Sequence, residues 1–416
     1  MANFACGIDF GTTNSTIGVL SAGRPVMIDV ENGKKSIPTA LFFEENNDSP
    51  ILGREAIEKY IDGQSGRFIR SIKRILGTDL MDKFTIINRK PVRFDDLIGI
   101  FLSALKRKAE NEVKQKLNLA VIGRPVHFQD NDEKADILAE EKLRKIGKNI
   151  GFDDVFFQYE PIAAAFSHEQ NLTSEKLALI IDLGGGTSDF TLIRIGPKLM
   201  SKKNRKDDVL STSGVRIGGN DFDKSLNLFS VMPSFGKGTT YGDKKLSCPA
   251  YLFSDLSEWS KINFTYTQQN IELVKRILNV SNAPDKIERL LGLLQFEEAH
   301  RLLNVVEMSK IDLSSTDCVC PVFDSFTEKI PFVIGRKDLD ESIKDDVDKI
   351  QKSMNECLAK GGIKSSEVDL LVLTGGSCQI PYVRGVFQAS FPNAEVIENE
   401  KMLSVGIGLT YATKFY

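Results

Sequence analysis

A chain of 416 residues, 27% charged and 41% hydrophobic, has room for two lobes with substantial cores. Its net charge of −3 provides no basic field for nucleic acid or an anionic membrane. No apolar run approaches the ~18 residues of a membrane helix, and the first strand-like run starts too early to leave space for a secretory leader. The expected setting is therefore the cytoplasm, with neither nucleic acid nor membrane as partner.

The first element, Phe4-Ala5-Cys6-Gly7-Ile8, is too short for a helix and reads as a strand. It runs into Asp9-Phe10-Gly11-Thr12-Thr13-Asn14-Ser15. Gly18-Val19-Leu20 and Val26-Met27-Ile28-Asp29-Val30 continue a meander, punctuated by Ala22-Gly23 and Asn32-Gly33. Helical periodicity over residues 95–115 sets Leu97, Ile98, Phe101, Leu102 and Leu105 on one face. A buried strand, Leu119-Ala120-Val121-Ile122-Gly123, then a polar helix over 130–149 and a strand at Val155-Phe156-Phe157 lead to Glu160-Pro161-Ile162-Ala163-Ala164-Ala165-Phe166.

A second apolar run, Leu177-Ala178-Leu179-Ile180-Ile181, precedes Asp182-Leu183-Gly184-Gly185-Gly186-Thr187-Ser188-Asp189 and repeats the first pattern. In both copies an acidic residue ends a strand beside a glycine turn. Glycines let backbone N–H groups approach phosphate oxygens closely, and the threonines add hydroxyl donors. A carboxylate in such a turn repels phosphate unless a divalent cation and its waters lie between them. Two such turns predict a Mg-nucleotide held between two lobes. Ile217-Gly218-Gly219-Asn220-Asp221-Phe222-Asp223 then opens a helix, residues 229–300 are mostly helical with a break at Ser281-Asn282-Ala283-Pro284, and Leu370-Leu371-Val372-Leu373-Thr374-Gly375-Gly376-Ser377 returns to strand and glycine turn. A helix from about Val405 closes the chain. Strands alternating with helices in two similar halves define an α/β protein.

Other features read more plainly. The six cysteines are scattered, and the one close pair, Cys318-Val319-Cys320, has no second pair and no nearby histidine; buried free thiols are expected instead of zinc. His127, His168 and His300 lack metal spacing and read as structural. Lys202, Lys203, Arg205 and Lys206 read as a solvated hairpin tip. Gly236-Lys237-Gly238-Thr239-Thr240 is only superficially a Walker loop, and Asn171-Leu172-Thr173 fits a glycosylation sequon only formally.

Taken together, the segments resemble the nucleotide-binding domain of the heat-shock-protein-70 (DnaK-type) chaperones, within the actin and sugar-kinase superfamily. Seven motifs stand in order: the two aspartate turns, Ile72-Lys73-Arg74-Ile75-Leu76-Gly77, Glu160-Pro161-Ile162-Ala163-Ala164-Ala165, Gly218 to Asp223, Glu307-Met308-Ser309-Lys310, and Gly375-Gly376-Ser377. The unlike segment 229–300 and the stop at Tyr416 are similar to the shorter YegD-type members, which lack a peptide-binding domain. The resemblance implies an actin-like ATPase fold of two lobes, each on a ribonuclease-H-like βββαβα core. Lobe I would span 1–171, with core 1–39 and 118–171, an insertion at 40–117, and the terminal helix 398–416 packed back on it. Lobe II would span 172–397, with core 172–228 and 335–397 and a mostly helical insertion at 229–334.

The resemblance also implies roles. Asp9, Glu160, Asp182 and Asp189 would surround Mg2+ and its waters, with Asp182 or Lys73 positioning the attacking water. Thr12, Thr13 and Thr187 would bind phosphates together with the glycine amides, Gly11, Asn14, Gly184, Gly185, Gly186, Gly218, Gly219, Gly375, Gly376 and Ser377 would also bind the nucleotide, and Thr187, which in the family can become phosphorylated, would be catalytic with Lys73, Glu160 and Asp182. Glu307, Lys310 and Ser314 would hold the ribose and adenine end of ATP or ADP, with Gln379 also binding the nucleotide and K+ as a further ion. Lys73 is expected as a mobile cation for the γ-phosphate. Where typical members clamp adenine between two arginines, this chain has Ile311 and Gln379, so weaker adenine binding is expected. Coupling arginines are replaced by Glu133 and Phe156, and Tyr159 and Ile162 alter the same surface, so docking of a J-domain or an interdomain linker is not expected, whereas a protein partner or a nucleotide-exchange factor remains in view. The leading expectation is a slowly hydrolysing, chaperone-like ATPase; the alternatives are a nucleotide-gated binding module, a small-molecule kinase of the same superfamily, and a filament-forming actin relative.

Overall fold

The computed structural model describes residues 4–126, 128, 132–169, 172–199, 202, 205–259, 261–398 and 403–416. Of the sequence features above, His127, Lys203 and Asn171 lie outside them. Two compact units divide the chain: one contains residues 1–216, 352–378 and 387–416, the other residues 217–351 and 379–386.

The first unit holds two mixed sheets. In the first sheet, β1 (Ala5–Phe10), β2 (Asn14–Ser21) and β3 (Arg24–Met27) form the antiparallel meander, with β4 (Ile37–Pro38) paired to β2. Beside β1 lie β5 (Leu119–Arg124) and β6 (Asp154–Tyr159), both parallel to their neighbours. The second sheet repeats the plan. Antiparallel β7 (Lys176–Leu183), β8 (Ser188–Ile195) and β9 (Val209–Val215) are followed by β10 (Leu370–Thr374), parallel to β7, and β11 (Glu395–Glu398), parallel to β10. The strand expected over residues 26–30 is shorter. It ends at Met27, after which the Asn32-Gly33 turn, with Asn32 at φ 48, pairs Val30 with Lys34 instead.

Helix α1 (Phe94–Val113) buries Leu97, Ile98, Phe101, Leu102 and Leu105 and ends where Lys114 adopts φ 54, slightly before the expected end. With α2 (Glu133–Asn149) it closes a core against the first sheet that includes Ile8, Phe10, Ile17 and Ile122. A second core draws Val121 of β5, the Ile162-to-Phe166 face of α3 (Glu160–Glu169), Ile180 and Ile193 of the second sheet, and Leu409 into one cluster. Leu409 belongs to a terminal helix, Ser404–Ala412, that lies against both α3 and β1. Glycine makes that seat possible: a Cβ at Gly408 would fall 1.7 Å from the Ala163 carbonyl oxygen, and one at Gly7 would fall 2.2 Å from the Thr410 nitrogen. The second unit is mostly helical, including α4 (Gly219–Leu226) and α5 (Ala299–Asp312), with a few two- and three-residue strands. Among the described residues no helix is long and apolar enough to cross a membrane.

Two expectations are corrected by burial. Cys6, Cys248, Cys357 and Cys378 are buried, but Cys318 and Cys320 are exposed, the first on a two-residue strand of the second unit and the second just after it. Arg205 is no solvated tip residue. Its side chain is 1% exposed and donates to both oxygens of fully buried Glu169 at 2.8 and 2.7 Å, and it pairs with Asp208 as well. A buried guanidinium requires such carboxylate partners, since unpaired burial of a charge costs several kcal/mol.

Candidate functional site

The repeated motif becomes a repeated turn. In β1 and β2 the last pair is Phe10 opposite Ser15, leaving residues 11–14 as the connection; in β7 and β8 it is Leu183 opposite Ser188, leaving residues 184–187. The two connections touch, for a Cβ at Gly185 would lie 2.2 Å from the Thr13 methyl. Thr39 braces the first turn: its hydroxyl donates to the Gly11 carbonyl and its amide to the Thr13 carbonyl, both at 2.8 Å. The second turn closes on itself, with the Gly184 amide donating to the Thr187 carbonyl at 3.0 Å. Arg74 also reaches it, donating to the Gly186 carbonyl at 3.1 Å.

Four carboxylates gather beside these turns. Asp9 is the last residue but one of β1, Glu160 opens α3 over Gly123 of β5, Asp182 is the last but one of β7, and Asp189 faces Asp182 across the hairpin. Lys73 Nζ donates to Glu160 Oε1 at 2.7 Å, with side chains only 10% and 13% exposed. Lys73 belongs to the short 3-10 turn Ile72–Ile75 and pairs here with Glu160 of α3. Thr374 at the end of β10 donates to Asp182 Oδ1 at 2.7 Å, and exposed Thr187 donates to Asp189 Oδ2 at 2.9 Å.

The electrostatics record an excess of negative charge. Burial, then repulsion from Glu160, pushes Asp9 up to about 8 despite the attraction of Lys73. Burial and the Asp182 charge raise Asp189 to about 7, and burial with Glu160 raises Asp182. Burial works against the Lys73 charge, but Glu160 and Asp9 outweigh it and hold the ammonium above the ordinary lysine range. Hemmed-in carboxylates with one lysine among them are the donor set of a hard cation. Among the described residues no three acidic, histidine or cysteine side chains converge closely enough to ligate a metal directly. Carboxylate oxygens are the donor type that a hard divalent cation such as Mg2+ takes.

Gly375 sits beside this cluster at φ +82, where a Cβ would lie 2.1 Å from the Leu183 carbonyl oxygen, and Ser377 is buried just beyond. Gly376 lies between these two in the same unit, and Gly218, Gly219, Glu307, Lys310, Ser314 and Gln379 lie in the second unit. There α5 presents Glu307, Lys310 and, one turn on, Ser314, whose hydroxyl donates to the Lys310 carbonyl at 3.5 Å. Lys310 reaches buried Asp223 Oδ1 at 2.7 Å and donates to the Gly219 carbonyl at 2.9 Å, so it is tied to the start of α4. Gly218 donates its amide to Asp221 Oδ2 at 2.8 Å. Gln379 belongs to this unit and is half-buried, while Ile311 is 51% exposed. Sequence reasoning missed Thr39, Arg74 as a turn contact, and Thr374. Only Arg74 carried a signal, as the neighbour of Lys73; a single threonine in a bend or at a strand end carries none.

Twin sheets of like topology, each feeding a glycine–threonine turn with an aspartate beside it, define an α/β protein built on a repeated half. The sequence model of the Hsp70 protein family matches residues 5–95, 87–298 and 294–408, and the chain belongs to that family. Its two mixed sheets accord with the family's actin-like fold. The chain is 26% identical over 392 residues to the chaperone protein DnaK of Mycoplasmopsis agalactiae, covering 92% of this chain and 54% of that protein. It is 27% identical over 415 residues to the DnaK of Mycoplasmopsis pulmonis, covering 97% of this chain and 57% of that protein. The chain thus spans little more than half the length of the curated relatives it matches.

Proposed function

We propose that this Hsp70-family chain binds ATP or ADP with Mg2+ and slowly transfers the terminal phosphoryl group to water, as a chaperone-like protein. The observation that carries the reading is the contact of the two four-residue turns beside Asp9, Glu160, Asp182, Asp189 and Lys73. Phosphoryl transfer asks for in-line positioning and charge neutralisation more than for covalent chemistry. Mg2+, when bound, supplies charge neutralisation of the phosphates. Amides and hydroxyls of residues 11–14 and 184–187 orient the phosphate chain, Lys73 adds positive charge, and Thr374 holds the Asp182 carboxylate in place to accept a proton from water. Glu307, Lys310, Ser314 and Gln379 would serve ribose and adenine, and K+ is proposed as an auxiliary ion.

The test is single-turnover hydrolysis by the wild type and Asp182→Asn. A wild-type rate above background that Asp182→Asn loses supports the enzyme; equal background rates remove it. Exposed Ile311, in place of a stacking arginine, favours a second reading, a nucleotide-gated binding module with little turnover. Stacked guanidinium contacts contribute about 0.5–2 kcal/mol each, so ordinary tight ATP binding in a calorimetric titration, lost on Gln379→Ala, would remove the weakened adenine end from either reading. The J-domain and linker surface is proposed to be altered, since Phe156 stacks on Tyr416 with ring centroids 4.1 Å apart.

A further inference from the structure

Lys73 and Arg74 are neighbours in one short turn, and the fold uses them differently. Ile72 and Leu76 are buried in the core against the first sheet, and the Arg74 amide donates to the Ser71 carbonyl at 3.1 Å, so the backbone of the turn is fixed. Successive residues of a 3-10 turn point in different directions, about a third of a circle apart. The Lys73 ammonium is paired with Glu160 at 2.7 Å. Arg74 is exposed, and among the described residues its guanidinium makes no ion pair and one hydrogen bond, from Nη2 to the Gly186 carbonyl at 3.1 Å. A guanidinium is a planar fork of N–H donors, and one bond leaves most of them open. It also lies close against the second turn: a Cβ at Gly186 would fall 2.3 Å from Nη2 and 2.4 Å from Nε, so the bare glycine is what makes room for it. The next residue back, Gly185, is the one whose Cβ would meet the Thr13 methyl of the first turn. The guanidinium therefore stands beside the place where the two turns touch.

We propose that Arg74 is a second cation of this site, a phosphate-contacting residue that donates to the terminal phosphate of ATP and so distinguishes ATP from ADP. The proposal rests on the nucleotide reading above. Glu160 balances the Lys73 charge, whereas the Arg74 charge has no carboxylate against it. The Gly186 carbonyl keeps the guanidinium at the turn without neutralising it, and a bond to a neutral carbonyl is weaker than one to an anionic phosphate oxygen. The fork matches two oxygens of one phosphate, which a lysine ammonium does not. ADP, one phosphate shorter, offers this residue less to hold.

The test is calorimetric titration of the full chain with the β,γ-imido analogue of ATP and, separately, with ADP, each with Mg2+, for wild type, Arg74→Ala and Arg74→Lys. Because Arg74 is exposed, the free variants should melt as the wild type does. Arg74→Ala should weaken the analogue by about 10- to 100-fold, the size of a charge-assisted hydrogen bond, and ADP by less than about threefold. Arg74→Lys, which keeps the charge and loses the fork, should recover part of the loss. Equal losses for both nucleotides, as a purely structural tie between Arg74 and the second turn would give, or analogue binding that Arg74→Ala leaves unchanged, overturn this proposal alone. A wild type that binds neither nucleotide overturns the nucleotide reading and this proposal with it.

Discussion

Replacing Lys73 with methionine removes the cation that serves all four carboxylates. Lys73 Nζ and Glu160 Oε1 lie 2.7 Å apart. Unit charges at that spacing attract by about 6 kcal/mol at an effective dielectric constant of ~20, and lost hydration returns most of this. Removing one partner alone is different, because Glu160 stays in place beside Asp9 and Asp182. The expected cost is about 3–5 kcal/mol where all of them are ionised. That cost depends on pH in a definite direction. Asp9 and Asp189 are raised from 3.8 to about 8 and about 7, so the native protein takes up protons as pH falls through those values. Protonation relieves the repulsion left behind, and the deficit of Lys73→Met against wild type shrinks between roughly pH 9 and roughly pH 6. Urea unfolding at several pH values measures the deficit, and single-turnover hydrolysis should fall by about 100- to 1000-fold in parallel, as for the loss of one charge-stabilising group. A deficit that is constant with pH, together with an unchanged rate, refutes the reasoning.

Asp9→Asn has the opposite effect on the free protein. The raised folded pKa means that the carboxylate's penalty is absent below 3.8, grows up to about 8 and is complete above it. The variant should therefore melt higher than wild type at alkaline pH, match it near pH 3, and lose the melting shift that Mg-nucleotide gives the wild type. In the second unit, burial lowers His300 from 6.5 to about 3, so stability should decline as pH falls from 6.5 towards 3, by up to about 1.4 kcal/mol per pH unit. Trp259, the chain's single tryptophan, has its ring centroid 5.5 Å from that of His300 and reports the change by fluorescence; His300→Phe should flatten it. Gly375→Ala, at φ +82 with its Cβ on the Leu183 carbonyl, should cost more than about 2 kcal/mol in urea titrations, whereas Gly23→Ala, at φ +77 with open space around it, should cost only about 1 kcal/mol.

Much of the first unit was legible along the chain. Apolar runs of strand length, each ending in aspartate and a glycine turn, reported β1 and β7 because a strand's identity and its turn are local properties of neighbouring residues. The same locality made α1 readable from its buried stripe. Element ends were less secure: β3 stops at Met27 although Ile28 and Val30 are also buried, since backbone pairing and not hydrophobicity ends the strand.

Side-chain pairing and exposure were settled only in three dimensions. Arg205 lies among basic residues in sequence, yet Glu169, distant along the chain, makes it a buried ion. The thiols of Cys318 and Cys320 were assigned to the interior with the rest, and the short strand Cys318–Val319 and the residue after it leave them in water. Lys73 needed Glu160 to become an anchored charge, and Thr374 needed the parallel pairing of β10 with β7 to face Asp182. Residue types and their spacing carry the chemistry a site is able to perform. Burial and long-range partners set charge states and reach, and these arise from contacts between residues far apart in the chain.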